Sequence, residues 1–168
     1  YFDETAEIVK QVTSIGAKRI AVFHQNDSYG KAGLDGVLRA LKPLNLEPAA
    51  LGTVERNTVD VAAAVKSILA GKPDAIVQIS AYKSCAAFIR EARKAGYGGA
   101  FYNVSFVGTK ALADELGADA RGVIVSQVMP YPYSPASPLS GDYLAAGKAA
   151  EGERLEPNYS SIEGCVAA

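Results

Sequence analysis

The chain has 168 residues, room for one α/β domain of ordinary size and not for two. Its 17 Lys and Arg against 18 Asp and Glu leave a net charge of −1, without the basic excess that a nucleic-acid or anionic-membrane surface needs. Two cysteines far apart in sequence make neither a disulfide framework nor a metal-ligand set, and no apolar run approaches the ~20 residues that cross a bilayer.

The first residue is Tyr and not Met, so a processed chain or an excised piece is expected. In chain order, Ile8, Val9, Val12 and Ile15 fall on one face of a helix over 5–15 that Gly16 stops. Residues 19–23 are an apolar run closed by polar residues 25–28, a buried strand and its loop. A helix over 33–41 follows, with Leu34, Val37, Leu38 and Leu41 on one side and Pro43 ending it. Residues 46–54 read as a weaker strand, which Pro48 and Gly52 assign to a sheet edge. Thr58-Val-Asp60 signals the N-cap of a helix through Leu69. Residues 74–79 are the clearest buried strand, and a helix over 82–95 is closed by Gly96. Strand 100–104, helix 109–116 and strand 122–128 complete the series.

Strands separated by single helices force parallel pairing, because a parallel connection needs a long crossover. Residues 1–129 are therefore expected to form an α/β fold, a doubly wound, mainly parallel open sheet with helices on both faces. Four prolines within 130–138 then make an extended connection. Helical pieces over 143–152 and 160–168 follow, with no apolar partner in the preceding periodicity, and are expected to belong to another lobe.

In an open parallel sheet, small molecules bind beyond the carboxyl ends of the strands. Those ends hold residues 24–30 after the first strand, Ser80, Ala81 and Tyr82 after the third, Ser105, Phe106 and Val107 after the fourth, and Gln127 after the last. Tyr29, Tyr82, Ser80, Ser105 and Phe106 supply neutral hydrogen-bonding groups and ring faces, which suit a small organic solute with an apolar part. Singly, each reads as a cap or a rim residue; as a set, they read as a binding site.

Other motifs fall away. Gly30, Gly33 and Gly36 are spaced G-x-x-G-x-x-G, unlike the dinucleotide fingerprint, and Asp35 among them would repel a pyrophosphate. His24 lies near Asp27 and Ser28 without a nucleophile elbow and reads as a polar strand-end residue. Cys85 and Cys165 read as small buried side chains, and Asp114, Glu115 and Asp119 as a solvated helix end. No enzymatic activity, cofactor or metal is expected.

One ordered set of segments carries a resemblance. It runs from Glu4-Thr-Ala6 through Arg19-Ile-Ala-Val-Phe-His24, Asp27-Ser-Tyr-Gly30 and Gly71-Lys-Pro-Asp-Ala-Ile-Val77. Tyr82 follows, then Ala86-Ala-Phe-Ile-Arg-Glu-Ala-Arg-Lys-Ala-Gly96 and Ala120-Arg-Gly-Val-Ile-Val125. Together they resemble the second lobe of the type I periplasmic solute-binding proteins, above all the Leu/Ile/Val receptors of ABC transporters.

The resemblance implies two lobes, joined by three crossover strands, that close on a solute. Residues 1–129 would be the second lobe, 130–138 an inter-lobe crossover and 139–168 a partial return into the first lobe. It implies as partners a small-molecule solute, a membrane permease of the ABC type and a first lobe of the same protein, with no nucleic acid, and a periplasmic location. Tyr29 and Tyr82 match the second-lobe tyrosines, and Ser105 stands where the family has an acid for an ammonium group. A serine cannot neutralise a charge, so either another acid such as Asp27 takes over or the solute lacks an amino group. An aromatic or aliphatic body, with or without a carboxylate, is expected in preference to a free amino acid. Tyr29 and Tyr82 are expected on one side of the sheet, and the receptor reading is expected to fail if they lie on opposite sides. The competing readings are a ligand-sensing domain of a receptor or transcription regulator with the same fold, and a small flavodoxin-like enzyme, for which residues 25–30 lack the phosphate-binding pattern.

Overall fold

The computed structural model describes residues 2–149 and 156–167. Helix α1 (Phe2–Ser14) buries Thr5, Ile8, Val9 and Val12. Ile15, expected on that face, lies past the helix end and is 65 % exposed, because Gly16 turns the chain at φ +92°. Strand β1 (Ile20–Gln25) is buried throughout and takes in two residues expected in the loop.

Helix α2 (Ser28–Leu41) starts five residues before the expected position 33, because Asp27 caps it by accepting a hydrogen bond from the Gly30 amide. Its apolar face packs closely on the sheet: a Cβ at Gly33 would lie 2.6 Å from Ile79 Cγ2. Strand β2 (Ala50–Val54) is shorter than expected and sits at the sheet edge, as its Pro and Gly content predicts. The cap signal at Thr58 does not start a helix. The Thr58 hydroxyl instead bonds the Glu55 carbonyl at 3.0 Å and closes a turn, and α3 (Ala62–Ala70) begins without a side-chain cap.

The chain continues through β3 (Ala75–Ile79), α4 (Tyr82–Lys94), β4 (Ala100–Asn103), α5 (Thr109–Leu116) and β5 (Val123–Val125). The last strand stops early, and the Ser126 N–H extends the pairing by one further backbone bond, to the Asn103 carbonyl at 2.9 Å. All pairings are parallel, in the order β2-β1-β3-β4-β5.

Helices α1 and α2 cover one face of the sheet over Ile8, Val12, Val22, Val77 and Tyr102. Helices α3, α4 and α5 cover the other over Phe23, Ile76, Phe88 and Phe101. There Phe23 and Phe88 stack with centroids 4.2 Å apart, and Phe101 meets Phe88 edge-on. The alternation of helices between faces makes this a doubly wound α/β sheet.

Helix α6 (Pro138–Ala149) opens on the last of the four prolines, which suits the first helical position because no intrahelical N–H is needed there. Its expected end at 150–152 lies outside the described residues. Helix α7 (Tyr159–Ala167) buries Ile162, and the Tyr143 hydroxyl joins it to α6 through Ser161. Cys165 on this helix is exposed, contrary to expectation, because α7 turns only its Ile162 side inward.

Candidate functional site

β1 and β3 are neighbours in the sheet, yet the helices that follow them, α2 and α4, lie on opposite faces. Such a reversal opens a crevice at the carboxyl ends of the two strands. Tyr29 enters it from the first turn of α2 and is half-buried against the α1/α2 side. Tyr82 enters from the first residue of α4 and packs on the opposite side, with Lys83 Nζ 5.9 Å from its ring centre. The expectation that both tyrosines share one side is therefore not met. They share one edge and flank it from the two faces, which is what the strand-order reversal dictates.

Asp27 does not provide a free charge. Its Oδ1 takes the Gly30 N–H at 3.0 Å and its Oδ2 takes Gln25 Nε2 at 2.5 Å. The Gly30 amide is the main reason its carboxyl sits below its ordinary value. Nearby His24 is buried, with Nδ1 3.0 Å from the Gln25 carbonyl.

At the end of β3, Ser80 is fully buried, and its hydroxyl has no partner among the described residues. Ala81 is exposed and precedes α4 without a side-chain cap. Cys85, one turn in, is buried, and desolvation pushes its thiol far above its ordinary value, so it is no nucleophile. Two residues went unrecognised in the sequence, Gln78 and Asn103, which stand side by side on β3 and β4 and are wholly buried. Gln78 Nε2 reaches the Cys85 carbonyl at 3.4 Å and Asn103 Nδ2 the Ile124 carbonyl at 3.3 Å. Their side-chain oxygens have no partner among the described residues. Amide side chains inside otherwise apolar strands are the signal that could have found them.

At the end of β4, Ser105 is half-buried and Phe106 is 68 % exposed. Both line a cleft of about 440 Å³ together with Glu4, Gln127 and Tyr159. The ring of Tyr29 lies 5.0 Å from that of Phe106, which connects the end of β1 to this cleft. Tyr82, Ser80 and Ala81 occupy the neighbouring strand end and do not line it. Glu4, in the first turn of α1, is the residue that sequence reasoning missed here: its Oε1 takes the Ser105 N–H and the Ser126 hydroxyl, each at 2.5 Å. The sequence separation is 101 residues in one case and 122 in the other, and no local pattern announces such contacts.

Elsewhere the acids of the α5 region are exposed and paired, Glu115 and Asp119 with Arg90 at 3.3 Å and Asp114 with Lys110 at 2.8 Å. Among the described residues no group of three or more His, Cys, Asp and Glu could hold a metal, and no helix is long and apolar enough to cross a membrane. A crevice with neutral donors, ring faces and one fixed carboxylate can orient a small molecule.

A family model described as "Periplasmic binding protein" matches residues 1–168. Among solved structures, a possible leucine/isoleucine/valine-binding protein from Rhodopirellula baltica SH 1 is 34 % identical with a TM-score of 0.91, over 99 % of this chain and 46 % of that one. A substrate-binding periplasmic protein from Ralstonia solanacearum is 30 % identical with a TM-score of 0.89, over 99 % and 48 %. An extracellular ligand-binding receptor from Verminephrobacter eiseniae ef01-2 is 26 % identical with a TM-score of 0.81, over 99 % and 48 %. The chain thus spans about half the length of these relatives. No curated protein matches it.

Proposed function

The chain belongs to the family of type I periplasmic binding proteins, and from that premise we propose that it is the second lobe of the solute-binding component of an ABC-type importer. Residues 1–129 form the solute-catching lobe in this reading, 130–138 the crossover between lobes, and 139–168 the start of the return into the first lobe. The solute is a small organic molecule with an apolar or aromatic part, held between the lobes in the periplasm and handed to a membrane permease. The protein binds and releases; it performs no chemistry.

The observation that carries this is the crevice at the strand-order reversal. Tyr29 and Tyr82 flank it from opposite faces, and Ser105 and Phe106 form a connected cleft. Ser80 and Ala81 complete the proposed rim at the end of β3. A first lobe closing over this edge would bury the exposed ring of Phe106.

The test is calorimetric titration of the intact protein with a panel of amino acids, amines and aliphatic and aromatic carboxylates. At least one is expected to bind, and Tyr82→Ala to weaken it tenfold or more, about 1.4 kcal/mol. Saturable binding that neither Tyr82→Ala nor Tyr29→Ala changes would place the site elsewhere and overturn the proposal.

A further inference from the structure

The amino ends of the strands form the edge of the sheet opposite the crevice, and a second cleft of about 600 Å³ opens there. Arg93, in the last turn of α4, lines it together with Tyr97, Gly98 and Gly99, which precede β4, and Arg121 and Gly122, which precede β5. No Asp or Glu among the described residues lines it. Two guanidinium groups thus share one cleft without an acid, in a chain whose net charge is −1.

Neither charge is cancelled by its surroundings. Arg93 is half-buried and fixed: its Nη1 donates to the Asp119 carbonyl, its Nη2 to the Arg121 carbonyl, and its guanidinium carbon lies 5.6 Å from the centre of the Phe101 ring. These partners are neutral, so they hold the group in place and leave its charge whole. Nearby acids are committed elsewhere, Glu115 and Asp119 to Arg90 at 3.3 Å and Glu91 to Lys94 at 2.7 Å. Arg121 is exposed, and its guanidinium makes no hydrogen bond or ion pair with the described residues. The backbone between the two is bare. A Cβ at Gly98 would meet nothing within 4 Å, and one at Gly122 would stand 3.8 Å from Arg93 Nη2.

Like charges that share a cleft gain from an anion that satisfies both. The planar fork of each guanidinium matches the paired oxygens of a phosphate or a carboxylate. A guest with one negative charge offsets one arginine; a guest with two offsets both. The volume exceeds that of a bare oxyanion and leaves space for an organic body against the Tyr97 ring.

We infer that this cleft is a second binding site, separate from the solute crevice, and that it takes a small organic dianion, a phosphate monoester or a dicarboxylate, between Arg93 and Arg121. The inference is independent of what the crevice binds, because the two sites lie at opposite edges of the sheet.

The experiment titrates glycerol 3-phosphate and succinate into the intact protein, followed by calorimetry and by NMR of the backbone amides at an ionic strength of about 0.15 M. Acetate and glycerol are the singly charged and uncharged controls. At least one dianion is expected to bind saturably and at least tenfold more tightly than acetate, moving the amide signals of Gly98, Gly99 and Gly122. Arg121→Gln should weaken that binding fivefold or more. Arg121→Lys, which keeps the charge and loses the fork, should retain part of it. Thermal melting establishes that both variants are folded, and Tyr82→Ala, in the crevice, should change the dianion affinity less than twofold.

Binding of either dianion in this pattern supports the inference, and the tighter one names the group. Absence of saturable binding by both overturns it, as does acetate binding as tightly as the dianions. Dianion binding that survives Arg121→Gln and is lost in Tyr82→Ala belongs to the crevice and also overturns it. The solute-binding reading stands in each of these cases.

Discussion

Asp27 precedes Tyr29 by two residues, and both of its carboxylate oxygens are engaged by the protein itself. Its task is to start α2 where Tyr29 and Gly30 can sit in the first turn. Asp27→Ala should cost about 1 kcal/mol, measured as a lower urea midpoint at pH 7. The pH dependence has a definite sign. The Gly30 amide favours the ionised form, so the folded carboxyl titrates below its ordinary value of 3.8. Its stabilisation is complete above that value and is lost as pH falls through the lower, folded one. The gap between wild type and Asp27→Ala should therefore close in acid; a gap that stays constant down to pH 2 would show that the cap does not act through its charge. At this scale the sequence was informative about types and silent about partners. Tyr29, Tyr82 and Ser105 were legible as polar or aromatic residues at strand ends. Glu4 was not, because an acid in the first turn of a helix looks like an ordinary response to the helix dipole.

At the scale of elements, the close seating of α2 on the end of β1 depends on Gly30. A Cβ there would lie 1.9 Å from the Gln25 carbonyl oxygen, which belongs to backbone and cannot yield. Gly30→Ala should destabilise by about 3 kcal/mol or more in chemical denaturation. Gly147→Ala, on α6 where a Cβ meets nothing within 4 Å, should be neutral or gain up to about 1 kcal/mol from helix propensity. If the two substitutions cost the same, close approach is not the reason for Gly30. On the opposite face, Phe88 is fully buried between Phe23 and Phe101, and Phe88→Ala should cost about 3–5 kcal/mol. All five strands and the helices between them were legible, since a buried parallel strand is a short apolar run and its covering helix shows a 3.6-residue stripe. Their ends were not. Asp27 started α2 early, Thr58 closed a turn instead of capping a helix, and β5 ended after three residues.

At the scale of the whole molecule, the sheet has a covered core on each face, and its carboxyl edge carries the exposed ring of Phe106 beside the cleft. If a first lobe closes over that edge, X-ray scattering from the intact protein should show a smaller radius of gyration when a bound solute is added. An unchanged scattering profile at saturation would argue against closure.

By itself the sequence determined the order of elements, their parallel pairing and the edge place of β2, because each follows from local periodicity, turn residues and the length a crossover needs. It also determined which residue types reach the strand ends. Only the tertiary structure decided that Tyr29 and Tyr82 flank the edge from opposite faces, since the side on which a helix packs is set by strand order and not by its own residues. Only it brought Glu4 to Ser105 and Ser126. A hydrogen bond depends on distance in space, and chain separations of 101 and 122 residues leave no trace in a local pattern.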